Sequence, residues 1–240
     1  MLLPPHSGKQ AMRITLLIAQ KELLHMLNSV LGYVFALVFT VALPYPIFWA
    51  ESKTNIFLNG QADLRVFFHL LPLVLLVFVP ALAMRTWAEE RHLSTIELLM
   101  SYPVRTSQWV VGKFLGNLAI LWTCLGLTIV LPILVSTLGD LDWGPVVGGY
   151  LGAMFLGAAC LSIAQCIGAL SRHQILAFVL SFIILAFFML FHLSTYNLQY
   201  RFLNVARGVI DSRDLLYYLS IVFVFLFLNV RLIDSKFWRN

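Results

Sequence analysis

Charge is what this chain has least of. Charged residues make up 11% of its 240 positions, against about a quarter in an ordinary soluble domain, too few to clothe a surface facing water. The devices for unaided chemistry are missing too. The nearest approach to a phosphate-binding loop, "VVGKFLG" at residues 110–116, lacks both the first glycine and a hydroxyl residue after Lys113, so ATP cannot be held by that arrangement. There is no His-Glu-x-x-His pair and no Gly-x-Ser-x-Gly elbow, the marks of zinc peptidases and of one large hydrolase class. Six histidines are scattered with no two at helical i, i+4 spacing, so no metal site is expected.

Cysteine is scarce as well. Cys124, Cys160 and Cys166 all fall inside apolar runs, where each reads as a small packing hydrophobe rather than part of a disulfide framework. On one helix Cys160 and Cys166 are separated by about 9 Å of rise, too far to bridge. The opening "MLLPPHSGKQ" has neither a basic start with an apolar core nor a small-residue cleavage site, so the N-terminus is expected to be retained. No Asp, Glu, Lys or Arg stands near the centre of any apolar run. Burying charge in lipid is costly and is retained for function, so this absence argues against an autonomous ion-coupled pump and against an intramembrane enzyme.

What fills the chain instead is hydrocarbon. Hydrophobic residues reach 60% and mean hydropathy is +0.88, the composition of an integral membrane protein. A spanning helix needs about 20 mostly apolar residues. Six runs qualify, at about 30–49, 66–84, 110–138, 146–170, 175–193 and 215–233. The expectation is a single all-α domain, 1–240, with six transmembrane helices and no soluble catalytic domain. Pro44, Pro46, Pro72 and Pro80 fall in or near the first two runs, where kinks or broken ends are expected.

Six spans put both termini on one side. If that side is cytoplasmic, its segments hold eleven Lys and Arg residues and the outer segments five, Lys53, Arg65, Arg201, Arg207 and Arg213. The bias places both termini in the cytoplasm. The net charge of +5 is thereby explained by topology, without a nucleic-acid partner.

Ahead of the first run, residues 11–28 read as a helix lying on the membrane surface. Met12, Leu16, Leu23, Met26 and Leu27 gather on one side, and Arg13, Lys21, His25 and Asn28 take much of the other, with Ile14, Leu17 and Ile18 intruding. In the fourth run Gly144, Gly148 and Gly152 recur at spacing four with Gly157 beyond, and Gly112 and Gly116 repeat the pattern at the start of the third. Small residues so spaced let helices approach closely, within the chain or between two copies.

One stretch is out of character: "WAEERHLSTIELLMSYPVRTSQWVVGKFLG", residues 87–116. Ser94 and Glu97 have capping-box spacing, Ile96 and Leu98 to Met100 give a short apolar segment, and Pro103 ends it. Glu89, Glu90 and Arg91 stand before it. A short rigid helix joined to two spans could carry a push from a soluble partner into the membrane, which a transporter without a fuel site or buried charge requires.

The longer string "ALAMRTWAEERHLSTIELLMSYPVRTSQWVVGKFLGN" resembles the hallmark of type-2 ABC exporter permeases: a paired-acid "EER", a "TIELL" helix, a "P-V" turn and a "GK" opening the next span. "FFHLLPLVLLVFVPALAMR", "DWGPVVGGYLG" and "FLNVARGVIDSRDLLYYLS" are similar to the gliding-motility permease subfamily. His92 and Tyr102 depart from the pattern. The resemblance implies that Glu89, Glu90, Thr95, Glu97, Leu98 and Leu99 form or flank a coupling helix docking on an ATPase subunit. Pro103, Val104, Gly112 and Lys113 would shape the return into the membrane, and the turn "SRHQ" with Arg172 and His173 would be a second cytoplasmic contact. It also implies that residues 194–214 re-enter the membrane or cap an exit path.

On this reading the chain is no enzyme. ATP and Mg are bound by partner ABC ATPase subunits, and a second permease subunit, identical or different, completes the complex amid membrane lipid. The expected place is the bacterial inner membrane and the expected activity export. The alternatives are a mechanical transducer acting on an envelope component without transport, and a non-transporting membrane scaffold.

Overall fold

A computed structural model describes residues 8–48, 64–92, 104–171, 173–190, 197–208 and 211–237. The helices run α1 (Gly8–Leu27), α2 (Val30–Ala42), α3 (Tyr45–Phe48), α4 (Arg65–His92), α5 (Thr106–Leu127), α6 (Val130–Leu138), α7 (Trp143–Leu170), α8 (Gln174–Leu190), α9 (Leu198–Ala206) and α10 (Ser212–Phe237). No strand occurs among the described residues, as expected where lipid offers backbone groups no partner.

α7 is the hub. In its most apolar stretch 83% of residues are buried, against 17% in α10, so α7 is enclosed by protein while α10 turns most of its surface outward. α4, α5, α8, α9 and α10 all pack on it. Its small residues make this possible. A Cβ on Gly148 would stand 2.6 Å from the Val205 carbonyl oxygen of α9, and one on Gly157 would collide with the Leu121 side chain of α5. At Gly149 the Phe68 ring of α4 occupies the space a methyl group would need. Large side chains on the neighbours therefore fill what α7 leaves empty.

The long apolar runs are less regular than the sequence suggests. Residues 110–138, expected as one span, lie in one span-length stretch whose helix is interrupted at Thr128, where α5 ends and α6 begins. Pro132 supplies no N–H to the carbonyl four residues earlier, and that carbonyl, Thr128 O, accepts instead from the Tyr150 hydroxyl of α7 at 2.9 Å and from Leu131 N–H at 2.9 Å. The run expected over 30–49 likewise stops at Ala42, turns at Leu43 and Pro44, and resumes only as the short α3. Pro72 and Pro80, by contrast, lie inside a continuous α4.

Residues 8–27 are helical, close to the expected 11–28, and the apolar side divides. Met26 is buried and Leu23 partly so against the bundle, while Met12, Leu16 and Leu27 stay exposed. Between α1 and α2 the axes bend by 72°. Ser29 caps α2, its Oγ accepting from Gly32 N–H at 3.2 Å. A Cβ on Gly32 would collide with the Met26 carbonyl oxygen, so the corner accepts no side chain there.

Among the described residues, four helical stretches are long and apolar enough to cross a membrane, Arg65–Trp87, Thr106–Leu138, Trp143–Leu170 and Ser212–Ser235. The bent pair of α1 and α2, taken as one span, makes a fifth, and the apolar helix at Gln174–Met189 is shorter.

The segment after α8 holds an element that periodicity did not reveal. α9 is seated on α7 with Leu198, Phe202 and Val205 fully buried. Asn197 caps it, its side-chain oxygen accepting from Gln199 and Tyr200 N–H at 2.8 and 3.1 Å. Arg201 pairs with Asp214 at 2.5 Å, and Tyr218 OH donates to Leu198 O at 2.9 Å, so α9 is tied to α10.

Gly148→Leu is expected to displace α9 and destabilise the protein by about 2 kcal/mol, in the range of overpacking, whereas Tyr150→Phe removes the hydroxyl that bonds Thr128 O and Thr128 Oγ1 and costs about 1 kcal/mol. Thermal unfolding in mild detergent, with limited proteolysis between Asn197 and Ser212 to report on α9, checks both.

Candidate coupling site

The ends of α4, α5, α7 and α10 meet in one small apolar cluster. Trp87, Val110, Ala169 and Ile233 are buried together, with Trp109, Leu226 and Val230 against them. The chain leaving α4, the chain entering α5 and the turn after α7 therefore all emerge at the same end of the bundle. That end is where the charged stretch begins.

Lys113 lies one turn beyond this cluster on α5 and is only 2% exposed. Its ammonium pairs with Glu22 of α1 at 2.5 Å and stands 5.3 Å from the centroid of the Trp87 ring of α4, a cation–π arrangement. The approach of α1 depends on glycine. Cβ atoms on Gly112 and Gly116 would stand 2.8 Å from Ile18 and 2.6 Å from Glu22, so only a bare backbone at those positions lets Glu22 descend onto Lys113. Beside the pair, Asn117 Nδ2 donates to Thr86 Oγ1 at 2.9 Å, and Gln165 Nε2 donates to Val110 O at 3.2 Å. Arg105 N–H donates to Gln108 Oε1 at 3.0 Å and so starts α5. Four helices, α1, α4, α5 and α7, are thus cross-linked by polar groups immediately inside the charged stretch.

The residues expected to dock a partner are distributed unevenly. Glu89 and Glu90 belong to the backbone of the final turns of α4. Thr95, Glu97, Leu98, Leu99 and Pro103 lie outside the described residues, as does Arg172 of the second turn. Val104 is half-buried ahead of α5, and His173 is exposed, its carbonyl accepting from Ala177 N–H at 3.0 Å as α8 begins. Lys113 turns inward, and its side chain offers no surface to a partner. Glu22 is the member that sequence reasoning passed over. It is 91 residues away in sequence from Lys113, and its only foreshadowing is the paired glycines on α5. Gly148, Gly152 and Gly157 face Val205, Phe202 and Leu121 of this same chain. Among the described residues no group of His, Cys, Asp and Glu could hold a metal ion.

Long apolar helices around a glycine-lined hub, with charge kept to the helix ends, define a multi-pass membrane protein without a catalytic constellation among the described residues. The profile of the family described as ABC-2 family transporter protein matches residues 14–229, and the chain belongs to that family. No curated protein matches the sequence. Membership makes the chain a membrane permease subunit of an ABC transporter, associated with an ABC ATPase.

Breaking a buried ion pair from one side strands the other charge. Lys113→Met and Glu22→Leu are each expected to destabilise by about 3 kcal/mol, while the double variant carrying both recovers most of the loss. Unfolding midpoints of the four proteins close the cycle, and additive losses would rule out a direct pair.

Proposed function

We propose that this chain is the six-span permease of an ATP-driven exporter in the bacterial cytoplasmic membrane, akin to the gliding-motility subfamily, with both termini in the cytoplasm. The segment between α4 and α5 is its coupling helix. Glu89, Glu90, Thr95, Glu97, Leu98 and Leu99 dock on the ATPase, Pro103 returns the chain to α5, and Arg172 with His173 make a smaller second contact. ATP and Mg are held by two ATPase subunits, and a second permease, the same chain or another, faces this one.

The single observation that carries the reading is the junction behind that segment. α4 and α5 meet through Trp87 and Val110, and Lys113 joins both to α1 through Glu22. A displacement of residues 93–103 would act on three helices at once rather than being absorbed at a loose loop. ATP binding moves the membrane halves only if closed and open ATPase states interact differently with the two permease conformations, and a rigid junction transmits that difference. Lys113 serves by position, not by touching the partner.

In the complex purified from its native membrane, Glu90→Lys and Glu97→Lys are expected to detach the ATPase or to abolish its stimulation by the permease, with the permease still folded. An unchanged stoichiometry and ATPase rate in both would defeat the coupling assignment. Topology is read separately. The three native cysteines are buried, so an impermeant maleimide is expected to label Ser212→Cys from outside intact spheroplasts and Ser235→Cys only after permeabilisation. The reverse pattern would invert the protein.

A further inference from the structure

At the end of the bundle away from Lys113, a cavity of about 520 Å³ is lined by Arg65, Phe68, His69, Leu203, Ala206 and Arg207. Sites for small organic ligands span about 300–1,000 Å³, and the lining divides by chemistry. Phe68 is 2% and Ala206 8% exposed, and Leu203 is packed against the core, giving an apolar floor. Arg65, His69 and Arg207 are exposed around it. Two guanidiniums, permanently charged and forked to match an oxyanion, thus stand with an imidazole at the rim.

The fold holds these groups in place. Arg65 and His69 are four apart at the start of α4, on one face of its first turns. Arg207 caps α9, which is anchored by buried Leu198, Phe202 and Val205 and by the Arg201–Asp214 pair. The carbonyl end of α9, which would repel an anion, is occupied. Arg207 N–H donates to Asn204 O at 3.2 Å and Gly208 N–H to Val205 O at 3.0 Å, the latter turn made with Gly208 at φ 89°, in the left-handed region that suits glycine.

We propose that this cavity binds the head of an anionic amphiphile, a phosphate or carboxylate held by Arg65, Arg207 and His69 with the first carbons of the apolar body on Phe68, Leu203 and Ala206. A bare inorganic anion leaves the floor unused, and an uncharged lipid leaves the rim unused. A phospholipid of the surrounding membrane and a carried anionic amphiphile share this chemistry. The site is built from this chain's own residues and stands whether or not the ATPase docks as described above.

The test uses the full chain, with any subunits that accompany it, in phosphatidylcholine nanodiscs titrated with dihexanoyl phosphatidic acid. Native mass spectrometry is expected to find one saturable ligand per chain, and the thermal midpoint to rise. Arg207→Gln alone should weaken binding several-fold, and Arg65→Gln with Arg207→Gln tenfold or more. Arg13→Gln on exposed α1 should not. Dihexanoyl glycerol and inorganic phosphate at equal concentration should bind far more weakly. Equal binding of dihexanoyl glycerol would reduce the site to a greasy crevice, equal binding of phosphate would make it a simple anion site, and equal weakening by Arg13→Gln would leave only bulk attraction; each overturns the proposal. Source is read on the chain taken from native membranes. A co-purifying phospholipid lost in the double arginine variant identifies a resident lipid, and stimulation of the complex's ATPase by dihexanoyl phosphatidic acid, absent in that variant, identifies cargo. Either upholds the site.

Discussion

In hydrocarbon, helices gain little by hiding apolar surface from one another, so a bundle holds together by how closely its backbones approach and how completely polar groups are paired. Here that constraint is met by α7. Its glycines and alanines present almost no side-chain bulk, and the neighbours supply it: Phe68 from α4, Leu121 from α5, Phe202 and Val205 from α9. The positions of Trp87 at one end of α4 and of Arg65 at the other both follow from where Phe68 is seated on α7. α4, at 28 residues, spans about 42 Å, so one packing contact sets the geometry of both ends of the bundle.

Two ion pairs extend this core to elements that could not hold themselves in place. Lys113 with Glu22 fastens α1 to α5, and Arg201 with Asp214 fastens α9 to α10. α9 has only nine residues, too few for an isolated helix to persist, and α1 leaves Met12, Leu16 and Leu17 exposed. Each pair stands near a helix end rather than at mid-span, so the cost of burying charge is limited while the geometric constraint is kept. An aromatic ring accompanies each cation, Trp87 over Lys113 and Tyr217 over Arg201.

The two ends thereby acquire different properties. Behind the charged stretch, polar bonds join α4, α5, α7 and α1 into one unit, suited to passing on a displacement. At the other end an apolar floor opens beneath exposed cations, suited to holding a ligand. The intervening bundle, mostly hydrocarbon, connects them through α4 and α7.

Much of this was legible in one dimension. A lipid-length apolar run must be a helix because its amides have no other partner, so the stretches containing α4, α7 and α10 follow from composition, and the scarcity of charge alone removes a soluble enzyme. The spacing of Gly112 with Gly116, and of Gly148 with Gly152, announced close packing. What remained hidden were the partners. That Gly112 and Gly116 receive Ile18 and Glu22, that Gly148 receives α9, and that Tyr150 caps the carbonyl freed by Pro132 are facts of long-range proximity, which no local pattern encodes. For the same reason neither the buried pairing of Lys113, read as shaping the return into the membrane, with Glu22 nor the break at Thr128 inside the span over 110–138 could be foreseen. Local sequence determined which segments are helical and apolar; only tertiary packing decided which faces meet, because contact depends on residues distant in the chain arriving at the same place.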